Sequence, residues 1–113
     1  MEMKSLLVIH FVMGPLMLII AVLTKIFPPR KINWFYGYRT RRSMQSQEAW
    51  IEANTYSSNA LIVVGLSASF FQLITYTLFD VETSLLLSAT FLIIGLFLGI
   101  FFTEHHLKRK GYK

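Results

Sequence analysis

His10 is the one imidazole set inside an apolar run of this chain, and it heads the residues that could do chemistry. An imidazole changes charge near neutral pH and can ligate a metal. At the outer end of a membrane helix it can equally reach headgroups or water, so His10 has an interfacial reading beside the proton or ligand one. Met13 and Met17 are soft-metal ligand types, but methionine in a membrane helix mainly fills packing gaps. His105 and His106 are adjacent and project in different directions on a helix. The i, i+4 spacing of a zinc helix is missing, and Glu104 does not restore it. No metal and no cofactor are expected. Glu48 and Glu52 stand one turn apart, as two carboxylates on a solvated helix face. Serines occur without a G-x-S-x-G turn, and no glycine-rich phosphate loop is present. Cysteine is absent, which removes thiol nucleophiles and thiolate ligands. No catalytic residues emerge, and the expectation is a protein that is not an enzyme.

The densest constellation lies in residues 33–54. Gly37 between two tyrosines permits a backbone turn that other residues resist. Arg39 can make bidentate bonds to a carboxylate or phosphate, with Glu48 or Glu52 as protein candidates. Arg41 and Arg42 read as anchors to anionic lipid. Thr40 can bond locally, and Trp50 can sit at headgroup level and pack over the loop. The candidate binding residues are therefore Asn33, Trp34, Gly37, Tyr38, Arg39, Thr40, Trp50 and Asn54. An interfacial belt binding anionic headgroups and a specific docking surface are both open readings of this segment.

The elements that must position these groups are set by hydropathy. Of 113 residues 54% are hydrophobic and 15% charged, and the charges fall in the gaps between apolar runs. Residues 5–24, 53–79 and 83–103 carry no Asp, Glu, Lys or Arg. Each run reaches the roughly 20 residues that cross a ~30 Å hydrocarbon core as a helix. The spacing predicts one all-α membrane domain with three transmembrane helices, at about 5–27, 53–79 and 83–103. A motif loop with a short amphipathic helix fills 28–52, and a basic tail fills 104–113. Pro28 and Pro29 stop the first helix, while Pro15 inside it frees a carbonyl that a neighbour must satisfy. This first run is longer than a signal-peptide core and lacks a small-x-small cleavage site, so a retained helix is expected. Ser43 is the expected N-cap of the amphipathic helix, which can run straight into the second span. Gly65 with Ser69, and Gly95 with Gly99, are small residues four apart. They are candidates for close helix packing within the bundle or against a second copy.

Cations set the expected orientation. Lys25, Arg30, Lys31, Arg39, Arg41, Arg42 and the tail lysines and arginine fall on one side. Lys4 stands alone on the other, with Glu2, Asp80 and Glu82. The positive-inside bias predicts an outer N-terminus and a cytoplasmic C-terminus. A net charge of +5 distributed this way is topogenic, so nucleic acid is not expected as a partner. The absence of a carboxylate within the spans counts against a small proton-coupled exporter.

The run Asn33-Trp-Phe-Tyr-Gly-Tyr-Arg-Thr, then Trp50-Ile-Glu-Ala-Asn54, resembles the signature of the SdpI family. These bacterial membrane proteins are named for immunity to a secreted sporulation-delaying toxin. Asn33, Gly37, Tyr38, Arg39, Thr40, Trp50 and Asn54 match the family pattern one by one. The founding protein is longer, with further membrane helices before the signature. The resemblance implies a bacterial cytoplasmic-membrane protein of the immunity or toxin-sensing type. The small-residue faces Gly65/Ser69 and Gly95/Gly99 are where the bundle could hold such a peptide toxin, and the resemblance implies a cytoplasmic regulator bound by the loop. A small transporter or a lipid-binding accessory subunit is the alternative.

Overall fold

The computed structural model describes residues 2–113. Three helices run up, down and up: α1 (Met3–Ile26), α2 (Gln47–Leu78) and α3 (Val81–Arg109). All three are long and apolar enough to cross a membrane. At 1.5 Å per residue α1 is about 36 Å long, while α2 and α3 exceed ~40 Å and project beyond a ~30 Å core. The amphipathic segment is the first two turns of α2 itself. Its cap is Ser46, whose Oγ accepts from the Ala49 amide at 3.1 Å, and not Ser43. Asp80 caps α3. The basic tail is mostly helical, because α3 continues to Arg109 with His106, Lys108 and Arg109 against the negative end of its dipole. Gly111, at φ 95°, closes that helix, and the Tyr112 amide donates to the Leu107 carbonyl at 3.0 Å.

The bundle is inside-out relative to a water-soluble protein. Ser57, Ser58, Gln72, Thr75, Ser84, Ser88 and Thr103 are buried, while Val8, Leu16, Phe70, Leu86, Phe97 and Phe101 face outward. Lipid tails solvate the large apolar side chains, so helix association relies on close backbone approach and internal hydrogen bonds.

Close approach occurs first between α1 and α2. A methyl on Gly14 would stand 2.8 Å from the Ser69 amide nitrogen, and one on Gly65 would stand 2.8 Å from the Leu18 Cα. α1 thus packs on the Gly65/Ser69 face, the close helix contact within the bundle that their spacing suggests. The Gly95–Gly99 pair makes a looser contact within the chain. Gly95 meets only the Val64 side chain, with its notional Cβ 3.0 Å from Cγ1, and Gly99 meets nothing within 4 Å. Half of that motif is open space, because α1 and α3 leave a groove there.

α1 stays helical through Pro15. The carbonyl that the proline leaves without a helical partner is that of Phe11, four residues back. Gln72 of α2 supplies the missing donor, its Nε2 lying 3.4 Å from Phe11 O. His10 is fully buried and 2.5 Å from Ser84 Oγ, which corrects its reading as an interfacial histidine. The stacked rings of Phe71 and Phe91, with centroids 4.3 Å apart, join α2 to α3.

Candidate functional site

The segment between α1 and α2 folds onto the end of the bundle through hydrogen bonds made largely by the candidate residues. Asn33 Oδ1 accepts from the amides of Phe35 at 2.9 Å and Tyr36 at 2.7 Å, an Asx turn. Gly37 follows at φ 106°, a left-handed conformation that side chains resist. A Cβ there would also stand 2.6 Å from both Asn54 Oδ1 and Pro29 Cγ. The Tyr38 amide donates to Asn54 Oδ1 at 2.6 Å, and Asn54 Nδ2 donates to the Trp50 carbonyl at 2.9 Å. One buried amide side chain thereby couples the loop to α2. Trp50 is 0% exposed and its Nε1 donates to the Pro29 carbonyl at 2.5 Å, so it anchors the loop from beneath.

Glu104 of α3 is the hub that sequence reasoning missed. Its Oε2 accepts from Tyr38 Oη at 2.6 Å and from Thr40 Oγ1 at 2.9 Å. Its Oε1 accepts from Arg42 Nη1 at 3.0 Å. Ser43 is buried beneath this contact and accepts from the Thr40 amide at 2.8 Å. Two residues on, His106 Nε2 lies 2.5 Å from Glu52 Oε1, and its ring stacks on Tyr56 at 4.3 Å. Arg39, expected to bond a carboxylate or a phosphate, is exposed and donates to the Trp34 carbonyl, with no carboxylate partner among the described residues. Arg42, expected to anchor lipid, holds the protein carboxylate instead. No local signal distinguishes the two arginines, because their partner is about 60 residues away in sequence. Trp34 and Phe35 are 75% and 91% exposed, and Phe35 stands at the edge of the groove beneath the loop.

Tyr38 gives this clasp a pH signature. Burial first, then the hydrogen bond to Glu104 and its negative charge, push the Tyr38 hydroxyl well above the ordinary phenol range. An acid whose folded pKa is raised contributes stability in full below its unfolded pKa, and loses it as pH rises. Loop protection from proteolysis should therefore hold at about pH 8 and fall above about pH 10, the ordinary tyrosine value. Tyr38→Phe should remove that pH dependence, and Glu104→Gln should weaken it. An identical profile in all three proteins would show that the contact plays no part.

Beneath the loop an apolar groove of about 460 Å³ lies between the three helices. Ile20, Leu61, Leu96 and Ile100 form its walls, Tyr38 and Asn54 its polar end. Gly99 lines it and also a second groove of about 320 Å³ between α2 and α3. Signature residues thus form both the loop and the roof of a membrane-level cavity. Among the described residues no cluster of three or more His, Asp or Glu side chains could hold a metal ion.

The family model for the SdpI/YfhL proteins matches residues 30–103, which contain most of the loop, its clasp except Glu104, all of α2 and most of α3. The chain belongs to the SdpI/YfhL family. One SdpI/YfhL relative is an uncharacterized protein, YfhL, of Bacillus subtilis (strain 168). It is 48% identical over 77 residues, which cover 67% of this chain and 70% of that protein. No solved structure matches the chain. Within the SdpI/YfhL match, Asn33, Gly37, Thr40, Trp50 and Asn54 each make a bond or fill a space that shapes the loop.

Proposed function

We propose that this multi-pass membrane protein is a non-enzymatic immunity protein whose groove beneath the loop receives a segment of a membrane-active peptide. One observation carries the reading: Gly37, Tyr38 and Asn54, matched to the SdpI signature, line an apolar groove open at membrane level. A membrane-active peptide is amphipathic and lies where apolar and polar surroundings meet. The groove offers that combination, with aliphatic walls and a tyrosine–asparagine end. Occupancy would strain the Tyr38–Glu104 contact and change how Trp34, Phe35, Arg39 and Arg41 are presented to a cytoplasmic regulator. The exposed cations also meet anionic headgroups on that side.

The test fills the groove without disturbing the fold. Gly99 has no neighbour within 4 Å of a notional Cβ, so Gly99→Leu should fold and melt as the native protein does. Cells carrying it should lose survival under challenge with the peptide toxin, while native and Gly99→Ala cells keep it. Full protection by Gly99→Leu at native protein levels would remove the groove from the mechanism. The same walls suit a lipid acyl chain, which is what supports the alternative of a lipid-binding accessory subunit. Retention of phospholipid by the native protein but not Gly99→Leu, with no difference in toxin survival, would favour that alternative.

The reading places the N-terminus outside and the loop and C-terminus in the cytoplasm, following the one-sided arginine and lysine distribution. The chain has no cysteine, so single cysteines report cleanly. In intact cells an impermeant thiol reagent should label Glu82→Cys and spare Lys31→Cys and Lys113→Cys. Labelling of Lys31→Cys would reverse the orientation.

A further inference from the structure

At the hairpin end the bundle buries a line of polar side chains that the signature residues do not touch. His10 of α1, Gln72 and Thr75 of α2, and Ser84 and Ser88 of α3 are each at most 3% exposed. Their hydrogen bonds have a direction. Thr75 Oγ1 donates to the Gln72 carbonyl at 3.1 Å, so it accepts from Ser84 Oγ at 2.7 Å. The single Ser84 proton is used there. Its oxygen therefore accepts from His10 Nε2, 2.5 Å away. The ring is then the Nε2–H tautomer, and Nδ1 holds a bare lone pair. That nitrogen is buried and meets no hydrogen-bond partner among the described residues.

A second unmet acceptor belongs to α2, at the turn of α1 that follows His10. Pro15 frees the Phe11 carbonyl, and Gln72 Nε2 donates to it at 3.4 Å. The amide nitrogen is thus engaged, and Gln72 Oε1 is left buried without a partner. Phe11 follows His10 in the chain, and their rings lie 4.6 Å apart. A nitrogen lone pair of α1 and a carbonyl oxygen of α2, both buried and lacking donors among the described residues, therefore occur at the hairpin end of the bundle. Buried acceptors without donors are unfavourable, and what completes them is a proton donor.

We propose that His10 Nδ1 is a proton-binding site within the membrane. The lone pair takes a proton from hydronium, which leaves as water, and the new N–H donates to Gln72 Oε1 directly or through that water. No covalent bond other than N–H and O–H changes. His10 is seven residues into α1, about 10 Å from its start, so the site is near solvent at the hairpin end. The ionisable groups around it are few. α1 carries Glu2 and Lys4 at its beginning, and α2 brings Tyr76, whose ring centroid is 5.9 Å away. α3 brings the neutral Ser84 and Ser88, and its nearest acids, Asp80 and Glu82, stand four and two residues before Ser84. His10 holds α1 to α3 through Ser84 in both protonation states, because Nε2–H donates in each.

The experiment is nitrogen NMR of the full chain, labelled at histidine, in phospholipid nanodiscs between about pH 9 and pH 4. At the upper limit His10 should show a neutral ring with a bare Nδ1, and on acidification Nδ1 should gain its proton. H10Q assigns the signal. A glutamine amide can replace the Nε2 donor to Ser84 but has no counterpart of Nδ1. This variant should keep the fold and the two signals of His105 and His106. In Gln72→Leu the protonated Nδ1 loses its acceptor, and its proton should exchange about tenfold faster, the worth of one ordinary hydrogen bond. A His10 ring that stays neutral throughout, or carries the Nδ1 proton already at pH 9, overturns the proposal. Unchanged exchange in Gln72→Leu overturns the role of Gln72.

Discussion

Trp50→Ala is expected to destabilise the protein by about 3–5 kcal/mol, the range for deleting a large buried aromatic. The side chain is the largest of those fully buried, and its indole N–H is bonded to the Pro29 carbonyl. Truncation opens a cavity beneath the loop and leaves that carbonyl without a donor. The loss should be local before it is global, because α1, α2 and α3 hold one another through contacts deeper in the bundle. Limited proteolysis should cut Trp50→Ala between residues 27 and 46 under conditions that leave the native chain whole. The helical signal should melt at lower temperature but start from the same amplitude. Trp50→Phe separates the two contributions. It keeps most of the ring and loses only the N–H, so about 1–2 kcal/mol should go. Native resistance to proteolysis in Trp50→Ala would mean that the Glu104 clasp alone holds the loop.

Gly14→Leu should have the next largest effect, about 3 kcal/mol or more, since overpacking a tight contact forces backbones apart. A Cβ at Gly14 would lie 2.7 Å from Ser69 Oγ and 2.9 Å from Ser69 Cα. A hydroxyl can rotate away, but an α-carbon cannot. α1 must then shift along its whole contact with α2, including Leu18 over Gly65. Gly14→Ala already places that carbon and should cost a good part of the total. The informative comparison is with Gly99→Leu, the same substitution into open space, which should leave the melting temperature unchanged. Thermal melts of the three variants in one detergent decide it. Equal melting of Gly14→Leu and Gly99→Leu would mean that α1 is not seated on Ser69.

The sequence by itself determined the parts governed by local rules. Three charge-free runs dictate three spanning helices, because an unpaired charge or unbonded backbone is intolerable in hydrocarbon. Pro28 and Pro29 end α1, and Gly37 marks the one turn in the loop where φ must be positive. The family signature was legible for the same reason: its residues shape a loop by short-range bonds, as Asn33 does. What the tertiary structure decided depends on the angle at which each helix presents its side chains. The closest α1–α2 contact falls at Gly14, which as a sequence feature was only the neighbour of a proline. Gly99 carries the expected packing spacing yet faces a groove. Arg42 rather than Arg39 finds a carboxylate, and that carboxylate is Glu104, 62 residues further on. His10 turns inward to Ser84, 74 residues away, instead of outward to headgroups. Hydropathy sets which segments enter the bilayer, but in lipid the apolar effect does not orient one helix toward another. Rotation and register are left to small residues and polar pairs, and those pairs join residues that lie far apart along the chain.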